Sequence, residues 1–568
     1  MTHRLANRRI RLVLAVLALG LVVTFARAVW LQVIRAPALE RLAARQHHEV
    51  VTTPAGRGTI YDRTGVQLAI GEQATTVYAD PRQVRDARRV AVEAGKKLGL
   101  NPNTIYPQLV DKKKGFVYIA RKADPERAAA LEREGLAGVG FYPEERRSYP
   151  QHTVGAQVLG YAGVDNKGLS GLELELDKQL SGRPGKETVV RDPFGRTIDV
   201  VSSTAEQPGR DAFLTLDHTI QAEVETVLRT TVAKWHALGG TAIVLDPKTG
   251  GVLAMANAPG FDANKFPSVS SLLQRNRAVT DTYEPGSTFK VLTYAAVLTD
   301  KIVTPGTTFT LAPTIKVADR TIGEAEPRPT ETMSVAEMLA RSSNIGTITL
   351  AELLGKSRLG RWIDRFGFGR PTGIDFPGES RGIVLPVDKW SGSTIGNVPI
   401  GQGIAVTPIQ MAAAYGALAN RGVWVQPHLV DHLRGEKAPT VHRRRIVSPG
   451  IARELLDMLQ GVVSSEGTGE EAAVPGYTVA GKTGTAAKPD ASGGYSDTRY
   501  VASFVGIVPA SSPRLVILVS IDEPHGAIFG GLVAAPAFRD IARFALQYLD
   551  IPPDDVSSLH GSVGAAGQ

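Results

Sequence analysis

Thr241-Ala242-Ile243-Val244-Leu245-Asp246-Pro247-Lys248-Thr249-Gly250-Gly251-Val252-Leu253-Ala254-Met255 is the stretch on which the fold turns. Two apolar runs, Thr241–Asp246 and Gly251–Met255, flank a Pro-Lys-Thr-Gly segment of turn composition, which predicts a β-hairpin. Downstream, apolar periodicity predicts helices at Lys290–Leu298, Val335–Ala340, Ile345–Leu354, Pro408–Leu418 and Ile451–Val463. Strand patterns return at Tyr477–Ala480, Tyr500–Val508 and Leu515–Ile521, and a last helix follows at Ala537–Leu549. Strands at both ends with helices between them imply one antiparallel sheet closed by early and late parts of the chain, packed on a helical lobe. Residues 552–568, opening with Pro552-Pro553 and then small and polar, read as a flexible tail.

Upstream of the hairpin the texture is different. Arg57-Gly58-Thr59-Ile60-Tyr61-Asp62-Arg63-Thr64-Gly65 reads as strand then turn, and Val77–Ala79 as a short strand stopped by Asp80-Pro81. Val84–Leu98 and Pro125–Glu134 read as helices. This is an α+β module with a thin core and no catalytic constellation, whose simplest role is spacing. At the N-terminus, Arg4, Arg8, Arg9 and Arg11 precede Leu12–Ile34, a run of 23 residues and long enough for the ~20 that span a bilayer. A cleaved signal peptide is the rival, because Ala26-Arg27-Ala28 has the A-x-A form. Trp30-Leu31-Gln32-Val33-Ile34 continues the helix past that point and favours an uncleaved anchor. Arg27, Arg35, Arg41 and Arg45 follow the span, so the positive-inside rule is nearly balanced.

The 568 residues predict several domains. The division read from these patterns is a tail at 1–11, an anchor at 12–34, a linker at 35–50, an α+β pedestal at 51–220, a catalytic region at 221–551 and the tail at 552–568. The fold class is thus multidomain α+β with one N-terminal transmembrane helix. Hydrophobic residues at 43% and charged residues at 21% argue against wholesale disorder and against many spans. The absence of cysteine removes disulfides, thiol catalysis and Cys-metal sites. With no His-Glu-x-x-His, no metal and no cofactor is expected. A net charge of +8 without a dense basic run gives no reason to expect nucleic acid.

Three constellations carry chemistry. Ser287-Thr288-Phe289-Lys290 follows the Glu284-Pro285-Gly286 turn and opens an apolar helix, so Ser287 and Lys290 share a face one turn apart. A serine hydroxyl needs a base. A lysine that is half neutral at pH 7 needs a pKa ~3.4 units below its model value, or ~4.6 kcal/mol of bias. Burial, a helix N-terminus and a neighbouring cation can each contribute. Ser342-Ser343-Asn344 lies between two helices, the first started by a Ser334/Glu337 capping box. Ser342 can pass a proton between nucleophile and base, and Asn344 can orient an amide. Lys482-Thr483-Gly484-Thr485 reads as an edge strand able to pair with an extended peptide. There Lys482 and the hydroxyls of Thr483 and Thr485 can hold a carboxylate, and Gly484 permits close approach of a ligand. Each alone is better explained as a cap, a polar turn or an ordinary strand. Gly476–Thr483 also fits the phosphate-loop pattern, but neither a strand before it nor a helix after it is foreseen.

Together, in the order S-x-x-K, S-x-N, K-T-G, the motifs resemble those of the class B penicillin-binding proteins, and most of all the cell-division, FtsI type. The resemblance extends over nearly the whole chain. It includes the anchor, Arg57-Gly58-x-Ile60-x-Asp62-Arg63-x-Gly65, Gly168-Leu169-Ser170-Gly171-Leu172-Glu173, Leu214-Thr215-Leu216-Asp217 and Gly401-Gln402-Gly403-Ile404. One departure is Ser343, where the S-D-N form has Asp. The resemblance implies a penicillin-binding, serine-β-lactamase-like transpeptidase domain on a dimerisation-type pedestal. It implies that Ser287 attacks the penultimate D-Ala of a peptidoglycan stem peptide, with Lys290 as base, Ser342 relaying protons and Asn344 positioning the peptide. Lys482, Thr483 and Thr485 then hold the terminal carboxylate, and the backbone N–H groups of Ser287 and Thr485 form the oxyanion hole. It further implies reaction with β-lactams and work on nascent glycan strands at the septum. The implied partners are a SEDS-family glycosyltransferase and other divisome membrane proteins. The implied topology is single-pass, with the N-terminus cytoplasmic and the catalytic region outside.

The motifs leave open whether water or an amine is the acceptor, so a D,D-carboxypeptidase and the elongation-type transpeptidase share them. A β-lactamase is disfavoured by the missing Glu-x-x-Leu-Asn after Asn344. A bifunctional class A protein is disfavoured by the lack of any Glu-Asp pair. A non-enzymatic β-lactam sensor or division scaffold is the last alternative, and three intact motifs argue against it.

Overall fold

A computed structural model of the chain describes residues 2–36, 48–191, 197–490, 493–556 and 558. Arg41 and Arg45, most of the expected linker and most of the expected tail lie outside the described residues. The described residues pack as two units: residues 1–56 with 182–209, and residues 57–181 with 210–568.

The first unit holds a helix, Thr2–Val29, prolonged by a π-helical turn over Trp30–Ile34. Among the described residues this is the one helix long and apolar enough to cross a membrane. Thr24 donates to Gly20 O at 2.7 Å, so its hydroxyl is satisfied on its own helix. The Arg35 guanidinium lies 4.6 Å from the centre of the Trp30 ring, a cation–π contact at the helix end. The same unit contains an antiparallel sheet of His48–Thr53, Gly185–Arg191 and Thr197–Thr204.

In the second unit the hairpin forms as expected, from Gly239–Leu245 and Val252–Ala258. It joins a five-stranded antiparallel sheet in the order Val252–Ala258, Gly239–Leu245, Leu515–Asp522, Tyr495–Val508, Ala480–Pro489. Side chains alternate across it with the period of 2. Ala242, Val244, Ile517 and Val519 pack toward the helices His218–Lys234 and Ala535–Tyr548. Ile243, Leu245, Val516 and Leu518 pack toward the helical lobe, which includes the wholly buried helix Pro408–Ala419. Burial on both faces explains why these strands read as continuous apolar runs.

A second sheet runs Val430–Leu433, Ala212–Leu214, Ile60–Tyr61, Gln67–Ala79, Val117–Ala123, with Val139–Ser148 also paired to Gln67–Ala79. Val430–Leu433 comes from the stretch read as catalytic, so this sheet does not respect a linear boundary at 220. The thin core foreseen for the module is a separate cluster around Val77, Val90, Leu109 and Leu131. Ile60, Leu68, Leu159 and Leu172 belong instead to the large core of the lobe.

Several motif residues outside the site are explained here. Arg57 Nε donates to Glu173 Oε2 at 2.7 Å and Arg147 Nε to Glu173 Oε1 at 2.6 Å, all with buried side chains. Arg57 Nη1 also reaches Asp177 Oδ1 at 2.7 Å. Asp62, Asp217 and His218 come close enough to suggest a metal group, and the two carboxylates accept from backbone N–H groups and from neighbouring side chains. Asp62 Oδ1 accepts from Thr64 N and Val66 N, closing the expected turn, and Asp62 Oδ2 accepts from His218 N and Nδ1. Asp217 Oδ1 caps the helix His218–Lys234 by accepting from Thr219 N and Ile220 N.

Two sequence expectations are displaced. The strand foreseen from Tyr477 begins at Ala480, because Val474–Tyr477 closes a turn with Gly476 at φ 87°. The first tail residues are held: Asp554 Oδ1 accepts from Thr478 N at 2.8 Å and Asp555 N donates to Gly476 O at 3.1 Å.

Candidate active site

The Ser287 turn is held from three sides. Gly286–Phe289 forms a tight 3₁₀ turn that runs into the helix Lys290–Thr299. Tyr415, buried in the Pro408–Ala419 helix, donates to Thr288 O at 2.8 Å. Gly286 N donates to Gly401 O at 3.1 Å. A Cβ on Gly401, whose φ is 79°, would lie 2.1 Å from Gly286 O, so only glycine fits there.

The second motif is a helix–helix turn, as foreseen. The Ser334/Glu337 capping box starts the helix Val335–Ala340, and Ser343 caps Asn344–Leu354 by accepting from Gly346 N at 2.9 Å. Ser342 between them has φ 54°, a left-handed conformation costly for serine and characteristic of functional sites. It turns the Ser342 carbonyl toward Lys290. Lys290 Nζ donates to Ser342 O at 2.6 Å, to Asn344 Oδ1 at 2.7 Å and to Ser342 Oγ at 3.3 Å. All three acceptors belong to the second motif, and Ser287 is not among them.

Lys290 is fully buried. Burial pushes its amine down to about 7, aided by Arg328 and opposed by Glu324. Lys482, on the third motif, is also fully buried. Burial first, and then the charge of Lys290, push Lys482 well below its ordinary value. Lys482 Nζ reaches Thr483 Oγ1 at 3.2 Å and Thr483 O at 3.3 Å. The Thr483 hydroxyl lies 2.7 Å from that of Thr468, and Thr485 Oγ1 accepts from Gly530 N at 3.2 Å.

The third motif lies on Ala480–Pro489, the edge strand of the sheet, as expected, and the strand continues past Thr483 where a phosphate loop needs a helix. Gly484 has a structural role that its motif does not announce. A Cβ there would meet Ser503 Oγ at 2.4 Å, Pro285 O at 2.9 Å and Thr288 Cγ2 at 3.0 Å. The missing side chain makes room for Ser503 of the neighbouring strand and for the serine turn.

Ser287, Ser342, Asn344, Thr483 and Thr485 line one cleft of about 680 Å³, with Lys290 and Lys482 buried beneath. A second cavity of about 540 Å³ takes Ala486 and Lys488 from the same strand and none of the motif side chains. Residues 240–543 match the penicillin binding protein transpeptidase domain, and residues 52–214 the penicillin-binding protein dimerisation domain. The chain belongs to the penicillin-binding protein transpeptidases.

Within that family the chain is 33% identical over 557 residues to the peptidoglycan D,D-transpeptidase FtsI of Escherichia coli K12, covering 97% of this chain and 93% of that protein. It is 35% identical over 512 residues to the stage V sporulation protein D of Bacillus subtilis, covering 88% and 79%. The crystal structure of penicillin-binding protein 3 from Mycobacterium tuberculosis complexed with aztreonam superposes with a TM-score of 0.69 at 31% identity, covering 89% of this chain and 98% of that one. The expected family, two-domain architecture and enzyme class, a D,D-transpeptidase, are thereby met. An enzyme called FtsI and a sporulation protein stand at similar identity, so the likeness is to the class B type as a whole and not to one place of wall growth.

Three contributors escaped the sequence reading. Glu324 lies beside the second motif, where Ser343 Oγ donates to it at 2.5 Å and Asn344 N at 2.6 Å. Arg328 lines the cleft, and Tyr415 anchors the serine turn. Ile322-Gly323-Glu324 has no motif character, and nothing local marks it.

Proposed function

We propose that this penicillin-binding protein cross-links peptidoglycan stem peptides through an acyl-enzyme on Ser287. The observation that carries the reading is the buried Lys290 amine, pushed down to about 7 and hydrogen-bonded to the Ser342–Asn344 turn in the cleft that Ser287 lines. Lys290 as the free amine takes the Ser287 proton as Oγ attacks the penultimate D-Ala carbonyl, with Ser342 Oγ within reach to pass it on. The N–H groups of Ser287 and Thr485 receive the oxyanion, and each such donor is worth ~10²–10³ in rate. Collapse breaks the peptide bond, and the departing D-Ala amine takes the proton. The amine of a second stem peptide then attacks the ester and frees Ser287. Asn344 orients the donor peptide along the edge strand. Lys482, with Thr483 and Thr485, receives the terminal carboxylate, whose negative charge restores the proton that burial and Lys290 disfavour on Lys482. β-Lactams acylate the same serine, a reading supported by a relative solved with aztreonam.

The same proposal places 12–34 in the membrane with residues 1–11 cytoplasmic and 221–551 outside. It gives 51–220 a docking role toward a SEDS-family glycosyltransferase and other divisome proteins, and puts the work at the septum. Transpeptidase motifs alone make no glycan, so a polymerase must supply the strands. The test is labelling with a fluorescent penicillin. Ser287→Ala is expected to abolish the covalent adduct while the thermal midpoint stays near wild type, and persistent labelling would sink the assignment.

A further inference from the structure

Glu324 belongs to none of the three motifs, yet it organises the second. Its carboxylate accepts from Ser343 Oγ at 2.5 Å, Asn344 N at 2.6 Å and Ile345 N at 3.3 Å. These backbone groups open the helix Asn344–Leu354 and have no partner within it. The preceding Gly323 O accepts from Asn344 Nδ2 at 3.1 Å, which leaves Asn344 Oδ1 facing Lys290 Nζ at 2.7 Å. Arg328 lines the same cleft and donates from Nη2 to Arg341 O at 2.9 Å. Its Nη1 is buried and has no hydrogen-bond partner among the described residues. The charged groups that act on Lys290 are Glu324 and Arg328 from one loop, and Lys290 in turn acts on Lys482 of the edge strand.

We propose that Glu324 and Arg328 are positioning residues for acyl transfer: Glu324 holds the second-motif turn so that the Asn344 amide faces Lys290, and Arg328, anchored on Arg341 O, sets the opposite charge into the same cleft. The inference rests on the reading of Lys290 as base. It also accounts for Ser343. The carboxylate that the S-D-N form carries in its own middle residue is here brought to the neutral Ser343 by Glu324, 19 residues upstream. A carboxylate close to a buried lysine favours the ammonium, and a guanidinium disfavours it. The two side chains therefore act in opposite directions on the same proton, while only Glu324 also holds the turn.

The test is the rate of acylation of the detergent-solubilised full chain by a fluorescent penicillin, measured from about pH 5.5 to 9.5. Glu324→Gln should move the ascending limb about one pH unit lower. It should also lower the plateau about tenfold as the Asn344 turn loosens. Arg328→Gln should move the limb about one unit higher, with a smaller loss at the plateau. Glu324→Asp should recover part of both losses. Limbs that coincide with wild type, or that move in the same direction, would overturn the proposal. If Glu324→Gln does not fold, the sign of the shift in Arg328→Gln decides. Lys290→Arg separates this inference from the reading beneath it. Acylation at the wild-type rate in that variant removes the base itself, whereas an inactive Lys290→Arg with unmoved limbs removes only the role of Glu324 and Arg328.

Discussion

Two of the buried charge clusters among the described residues are solved in opposite ways. Around Glu173, the side chains of Arg57 and Arg147 are each about 1% exposed, yet Glu173 and Asp177 answer them at 2.6–2.7 Å. The outcome is a guanidinium on Arg57 held above its ordinary value despite burial. Around Ser287, Lys290 and Lys482 are both fully buried, and neither is ion-paired with a carboxylate among the described residues. The outcome there is two amines driven down. The pairing of a buried charge thus separates scaffold from chemistry. Matched charge keeps its ordinary ionisation, whereas the unmatched amines are pushed toward the neutral form that the proposed mechanism asks of Lys290.

The most direct way to break this contrast is Lys290→Met. It should slow acylation by about 10²–10⁴-fold, the weight of a general base. Stopped-flow with a fluorescent penicillin measures it, and a loss below tenfold would refute the unmatched lysine as the source of reactivity. Glu173→Gln attacks the other cluster, leaving two buried arginines short of their partner. It should cost about 3–5 kcal/mol in denaturant unfolding. Acylation per folded molecule should be little changed, and a selective loss of activity would mean that the matched cluster is not merely scaffold.

A pH titration sharpens the contrast. Acylation should rise with a midpoint near about 7, where the Lys290 amine loses its proton. Stability carries the same signature. With the folded value at about 7 against 10.5 for the free side chain, the unfolded chain binds more protons between those limits. Stability should therefore gain from this group as pH rises from about 7 to 10.5, and the burden of the buried ammonium is complete below about 7. That gain should vanish in Lys290→Met, which chemical denaturation at pH 7 and 9.5 will show. Lys482→Arg keeps a cation and should lose only about tenfold in acylation, whereas Lys290→Arg should lose nearly all, because a guanidinium stays protonated. Equal losses would erase the division between base and anchor. The smallest effect is expected from replacing 12–34 by an unrelated spanning helix, which should leave penicillin labelling intact and weaken septal recruitment observed by microscopy.

The sequence made legible whatever is local. The hairpin at 239–258, the Ser334/Glu337 box and the ends of Asn344–Leu354 all rest on composition within a few residues, and the three motifs are contiguous. What stayed hidden depends on distant strands of chain meeting. Glu324 matters only because its loop folds beneath Asn344, and Val430–Leu433 pairs with Ala212–Leu214 across more than 200 residues. The left-handed backbone of Ser342 is equally silent, since serine has no preference for it and the packing of two helices imposes it. The packing of Ser503 and Pro285 against Gly484 is hidden too, because a sequence does not say which neighbour fills the space a glycine leaves.

That space has a consequence for drug resistance. With Pro285 O and Thr288 Cγ2 seated where a side chain at 484 would begin, the edge strand and the serine turn interlock as tongue and slot. Bulk at 484 meets Ser503 Oγ first and then the Pro285 carbonyl, so it presses on both the neighbouring strand and the turn that carries Ser287; on the proposed mechanism it disturbs stem peptide and β-lactam alike. Selection by an antibiotic finds no way to separate the two there. Change that tells a drug from a stem peptide has more room at cleft residues outside the interlock, of which Gln402 and Leu532 are two.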